Sequence, residues 1–253
     1  MPASWAPDEL QVVVQQDAPN RLALMLYGSV ARGSAHAESD VDLLELVTEE
    51  PAAYRFGRVN VTQYLPSHLQ VLASQGSLFV LHLRADGIVV SDDFGILRHS
   101  LEAYSPPSDY HHVWDQLAFA AGILDPAASN IQDHVAGLAR LGIYVLRTAI
   151  YLQTVERGEP DFDSERIASL SADEELQHAL AIRRRLDTVQ VPDVELLYRV
   201  LRRTLPACQG NSFPSVEAYM VAHADRGDLD PLFAAVLSGS GPIGYSALSL
   251  PPF

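Results

Sequence analysis

The stretch Leu26–Val47, LYGSVARGSAHAESDVDLLELV, decides how this chain is read. It is entered from an apolar run, Arg21–Tyr27 (RLALMLY), with the length and composition of a buried strand, and that run stops at Gly28. Gly28-Ser29 forms a tight exit, ten residues intervene, and Asp40-Val41-Asp42 opens a second apolar strand, Val41–Val47. Side chains two apart on a strand share a face, so Asp40 and Asp42 project together. Two carboxylates held side by side repel, and both stay ionised only beside a cation. Magnesium accepts such a pair together with phosphate oxygens.

Gly28 supplies the other half of that chemistry. A glycine at a strand exit lets the backbone approach a phosphate closely, and the Ser29 hydroxyl adds a donor. A helix beginning near Ser29 would aim its unpaired N–H groups at the same anion, and Arg32 follows one turn on. Together these parts describe a nucleoside triphosphate bridged through a metal to two aspartates. An acceptor hydroxyl attacking the α-phosphorus would release pyrophosphate, with the protein positioning the reactants and neutralising charge.

Gly28-Ser29-Val30-Ala31-Arg32-Gly33 and Ser39-Asp40-Val41-Asp42-Leu43 resemble the signature of the polymerase-β-type nucleotidyltransferases. The likeness is to the branch of minimal nucleotidyltransferases and antibiotic adenylyltransferases. A looser likeness continues through Gly76–Asp92. The resemblance implies Asp40 and Asp42 as catalytic metal ligands, and Gly28, Ser29, Arg32 and Ser39 as the nucleotide-binding set. Members of that family usually carry a third acid on the next strand. Here that strand reads Arg58–Tyr64, with Val59 and Val61 toward the core and Asn60 and Thr62 toward the cleft. Asn60 is therefore the third candidate metal ligand; its amide donates an oxygen but is no base. Either a single metal suffices, or an acid from elsewhere serves, with Glu45, Asp86 and Glu102 as the candidates, or the enzyme is weak or inactive.

Outward from this centre, Pro66 opens a helix through Ser74, Ser77–Arg84 fits helix or strand, and Ile88–Val90 is a short strand after the Asp86-Gly87 turn. Ser105-Pro106-Pro107 marks a joint. Beyond it the texture is helical: a long helix within Asn130–Val155, one opened by a Ser171-x-x-Glu174 capping box and running to Leu186, others over Val191–Leu205 and Ser215–Ala224, and a short one after Asp230-Pro231. The fold expected is α+β: residues 1–104 as a polymerase-β-like nucleotidyltransferase domain with a mixed sheet flanked by helices, and residues 105–253 as an all-α helical bundle ending in an irregular Gly/Ser/Pro-rich tail.

Composition excludes other classes. All 17 basic residues are arginines, against 32 acids, for a net charge of −15. That balance does not suit a phosphate-backbone binder, so no nucleic-acid partner is expected, nor an anionic membrane surface. Cys208 is the only cysteine, which removes intrachain disulfides and cysteine-based zinc sites and fits the cytoplasm. The acidic N-terminus lacks the positive region of a signal peptide, and uninterrupted apolar runs are shorter than a membrane helix requires. The acidic run Glu156, Glu159, Asp161 and Asp163 reads first as a loop and second as an attractor for a cationic acceptor. Arg183–Arg185 reads as a solvated helix end.

A toxin-type ribonuclease bundle would carry an arginine followed, four to six residues later, by a histidine. No such pair occurs in the second half, so RNA cleavage is discounted. The expected function is magnesium-dependent transfer of a nucleoside monophosphate, AMP from ATP foremost, to a hydroxyl of an aminoglycoside-like small molecule or of a protein. The alternative is a silent nucleotidyltransferase fold that binds a nucleotide or partner without turnover. Oligomeric state is not legible.

Overall fold

The apolar run Arg21–Tyr27 forms strand β1, an interior strand of a five-stranded mixed sheet. The computed structural model describes residues 8–16, 18–36, 39–125, 127–208, 210, 213–226 and 230–239, and the chain divides into two units, Met1–Ser108 and Asp109–Phe253. The tail reading falls almost wholly on 240–253, outside the described residues.

In the first unit, α1 (Asp8–Gln15) precedes β1, and α2 (Gly28–Arg32) follows it directly. Then come β2 (Val41–Val47), β3 (Ala53–Phe56), β4 (Val59–Tyr64), α3 (Pro66–Ser74), α4 (Leu78–Asp86), β5 (Ile88–Ser91) and α5 (Ile96–Glu102). The strand order is β3-β4-β2-β1-β5, with β2 and β4 parallel and the other pairs antiparallel. Ser77–Arg84 resolves as helix because the Ser77 hydroxyl accepts the Phe79 N–H at its start.

Strand alternation builds two cores. Leu24, Leu26, Val41, Leu43, Val59 and Val61 pack on Leu10 and Val13 of α1. Met25, Tyr27, Leu44, Leu46 and Tyr64 pack on Leu69, Phe79, Leu83, Leu97 and Leu101 of α3 to α5. Thr62, expected in the cleft, is buried, which leaves Asn60 as the half-exposed polar residue of that face.

On the α1 side the sheet buries an ion pair. Glu45 is 1% exposed. Its carboxylate accepts Arg21 Nε at 2.9 Å and Nη2 at 2.6 Å, the Tyr54 hydroxyl at 3.2 Å and Gln63 Nε2 at 2.9 Å. The same guanidinium donates to the carbonyls of Val13, Val14 and Gln16 at the end of α1, where carbonyls lack helical partners. Glu45 is thus structural and cannot be the substitute acid, since it lies three residues from Asp42 on the opposite face.

The second unit comprises α6 (His111–Gly122), a 3₁₀ turn (Ile131–His134), α7 (Val135–Glu156), α8 (Ser164–Leu170), α9 (Glu174–Ala181), a 3₁₀ segment (Ile182–Thr188), α10 (Val191–Thr204), α11 (Val216–Ala222) and α12 (Asp230–Ser238). Helix α7 is its core and packs against α6, α8, α9, α10 and α12. A Cβ at Gly142 would sit 2.6 Å from Leu124 Cδ2 and 3.2 Å from Leu197 Cδ1, so glycine sets how closely α10 approaches. The span Ile131–Glu156 is long enough to cross a membrane, and its mean hydropathy is 1.4, which counting uninterrupted runs missed. Its most apolar window is 78% buried inside the protein, the pattern of a core helix.

Several polar readings change. Asp173, not Ser171, caps α9, accepting the Leu176 N–H, while the Ser171 hydroxyl is taken by the Asp173 N–H. The helix expected to reach Leu186 ends at Ala181 and tightens into 3₁₀, with Arg185 off helical geometry. Arg183 and Arg184 pair with Glu165, and Arg185 pairs with Asp193, so these arginines are cross-braces. Within the acidic run, Glu156 accepts Trp114 Nε1, Asp161 pairs with Arg166, and Asp163 caps α8.

Two outcomes follow from this architecture. Glu45→Ala should lower unfolding stability by about 3 kcal/mol in urea denaturation, because Arg21 is left buried without its counter-charge, while nucleotide affinity stays unchanged. In the second unit, the Glu217 carboxylate is bonded by its own backbone N–H, by Asn130 Nδ2 at 2.6 Å and by His134 Nε2 at 2.8 Å, which holds its pKa at about 2 against an ordinary 4.5. A lowered pKa contributes stability that is complete above about pH 4.5 and lost as pH falls toward 2. Melting temperature followed across that window should fall less steeply in Glu217→Gln than in the parent.

Candidate functional site

Gly28 adopts φ +75°, a backbone region open to glycine and costly for other residues. A Cβ built there would lie 2.7 Å from Asp42 Oδ2, so the space a side chain would need is filled by that carboxylate. The register brings this about: Tyr27 stands opposite Asp42 in the β1–β2 ladder, which sets the next residue, Gly28, against the Asp42 side chain. Helix α2 begins at Gly28 itself, and its N-cap residue Tyr27 makes no side-chain capping bond.

Across the sheet the row continues. Asp42 pairs in register with Asn60, and Asn60 with Arg55. The Asn60 Nδ2 donates to Asp42 Oδ1 at 3.3 Å, and Arg55 Nη2 donates to Asp40 Oδ1 at 2.8 Å. Gly28, Asp42 and Asn60 therefore meet directly, while Asp40, just before β2, pairs with Arg55.

The other expected residues stand further off. Arg32 donates from Nη1 to Asp86 Oδ2 at 2.8 Å and lies 3.0 Å from His82 Nε2, which is itself 3.2 Å from the same carboxylate oxygen. His82 packs edge-on against Tyr27, the residue before Gly28. Burial opposes the Asp86 charge, but hydrogen bonds from His82 and Arg32 outweigh it and hold its carboxyl below the usual aspartate value. An acid held in that state is a poor proton acceptor, so Asp86 does not replace the missing base. Glu102 is exposed at the end of α5. Ser39 closes a turn, its hydroxyl accepting the His36 N–H and its N–H bonding the His36 carbonyl. Ser29 is the second residue of α2 and half-exposed.

The donor set at this corner is all oxygen: two carboxylates and an amide carbonyl. That chemistry fits a hard divalent cation with phosphate oxygens, and the Gly28 space keeps one carboxylate in place for it. No group of three or more His, Cys, Asp or Glu side chains gathers among the described residues. A depression of about 280 Å³ lined by Asn20, Arg21, Glu45 and Gln63 opens at the other end of β1 and β2, and its charges are already paired.

Arg55 escaped the sequence reading. The signal was present: two residues, Gly57-Arg58, separate Phe56 from Val59, which is hairpin spacing. Pairing from that turn puts Arg55 opposite Asn60.

Residues 8–72 match the family model described as a nucleotidyltransferase domain. The match spans about a quarter of the chain and contains Gly28, Ser29, Arg32, Ser39, Asp40, Asp42 and Asn60. It supports nucleotidyl transfer as the general activity, and with it a nucleoside triphosphate substrate. No curated protein matches the chain. Among solved structures, the chain is similar to a nucleotidyltransferase-like protein from Exiguobacterium sibiricum 255-15, at 14% identity over 82% of this chain and 75% of that one. The TM-score is 0.28, and no argument rests on that likeness.

Gly28→Ala should disrupt the site more than the fold. Forcing φ +75° on alanine costs about 1–2 kcal/mol, and the new methyl must displace the Asp42 carboxylate. Titration with a nucleoside triphosphate and magnesium should show at least tenfold weaker binding while far-UV circular dichroism stays unchanged.

Proposed function

We propose that this protein is a magnesium-dependent nucleotidyltransferase that moves AMP from ATP onto an acceptor hydroxyl. The observation that carries the reading is the Asp42 carboxylate seated against Gly28, at the start of α2 and opposite Asn60 in register. Asp40, Asp42 and the Asn60 carbonyl would hold magnesium, which supplies charge neutralisation at the phosphates when bound. The backbone at Gly28-Ser29 and the Ser29 hydroxyl bind phosphate oxygens, and Arg32, braced by Asp86, adds a cation on that side.

Transfer proceeds as the acceptor oxygen bonds to the α-phosphorus and the bond from that phosphorus to the bridging oxygen breaks, releasing pyrophosphate. The acceptor's proton leaves to solvent, since neither Asn60 nor Asp86 is fit to take it. A net charge of −15 favours a cationic small-molecule acceptor of the aminoglycoside kind over a protein hydroxyl.

A second reading has its own observation. Asn60 spends its amide on Asp42, so the protein is equally suited to bind nucleotide and metal without turnover. A pyrophosphate-release assay with ATP, magnesium and pooled cationic and protein acceptors separates the two. The parent should release pyrophosphate at least about 100-fold faster than Asp40→Asn/Asp42→Asn. Magnesium-dependent ATP binding by the parent with no release above that variant selects the silent fold.

A further inference from the structure

We propose that Arg55 is a built-in counter-cation of the diacid, one that must leave Asp40 before a divalent cation can settle there. This rests on the metal-site reading above and adds to it a residue on β3 that regulates access. In the cross-strand row, Arg55 stands opposite Asn60 and Asn60 opposite Asp42, so the guanidinium reaches the diacid from the neighbouring edge strand. Each acid then has its own resting partner. Asp42 accepts the Asn60 amide at 3.3 Å, and Asp40 accepts Arg55 Nη2 at 2.8 Å.

A neutral amide on one carboxylate and a full positive charge on the other lower the repulsion between them without metal. The Arg55 contact is built to be given up. Its side chain is 58% exposed and that of Asp40 45%, in the range where an ion pair contributes little and exchanges readily with water and ions. The guanidinium keeps an anchor when it lets go, because Nε donates to the Gly57 carbonyl at 2.8 Å in the hairpin turn. The buried Arg21–Glu45 pair in the same sheet shows the opposite design: side chains 10% and 2% exposed, with every acceptor already used for support.

The consequence is competition between one arginine and one divalent ion for Asp40. It is measurable without nucleotide or turnover, by titrating the full chain with Mn²⁺ and following bound ion by electron paramagnetic resonance. Arg55→Gln, which removes the charge, should bind Mn²⁺ about 2- to 5-fold more tightly than the parent. Arg55→Lys, which keeps the charge, should stay within about 2-fold of it, and circular dichroism on both checks the hairpin. An Arg55→Gln affinity no tighter than that of Arg55→Lys overturns the role of Arg55. If the parent and Asp40→Asn/Asp42→Asn give the same Mn²⁺ titration, the metal site itself fails, a result distinct from the first.

Discussion

One carboxylate, that of Asp42, occupies the space a side chain at residue 28 would need, and the rest of the first unit is arranged to keep it there. The constraint is one of register. A slip of one residue between β1 and β2 would turn Asp42 into the apolar layer under α1 and expose Leu43 in its place. Apolar alternation resists that slip along the strand, and at its far end so does the buried pair of Arg21 and Glu45. Glu45 faces α1 only while Asp42 faces the opening. The ion pair thus adds stability to a register that the apolar strands already hold, and its loss costs stability rather than the facing of Asp42.

The second constraint is charge. With 32 acids and 17 arginines, the chain must place its carboxylates where something answers them. Most of the described ones are answered locally: Asp163 and Asp173 cap helices, Glu165 takes two arginines, and Asp193 takes Arg185. A guanidinium fork can bond a carboxylate at two points, which suits such cross-bracing better than a lysine. Asp40 and Asp42 differ in kind. Among their partners are a half-exposed amide and an exposed arginine.

How much of this was legible follows from the range of each interaction. Gly28, Ser29, Asp40 and Asp42 lie within one stretch of chain, where local turn and strand rules place them, and the apolar strands and the long core helix were equally plain. Helices α1, α5, α6 and α8 went unread. Helix α6 opens at His111 behind Tyr110, which does not cap it, and only Asp109 accepts its first N–H, whereas α8 had a signal in Asp163, which was read as part of an acidic loop. The ties of Arg32 to Asp86 and of Arg55 to Asp40 depend on pairings across 54 and 15 residues. Periodicity carries no information about such contacts; only the Gly57-Arg58 hairpin spacing pointed toward the second.

Asn60 is best understood through the same balance. An acid at that register position would put a further negative charge beside Asp42, in a row whose arginine, Arg55, is already committed to Asp40. The amide removes that repulsion and adds a hydrogen bond, so the corner holds its shape with no ion present. What it gives up is a proton acceptor and one unit of attraction for a cation. On the function proposed above, metal affinity would rest on two carboxylates, one of them shared with Arg55, and on the phosphates that arrive with the nucleotide. Such a site would hold its shape when empty and complete its charge balance only when cation and triphosphate are present together.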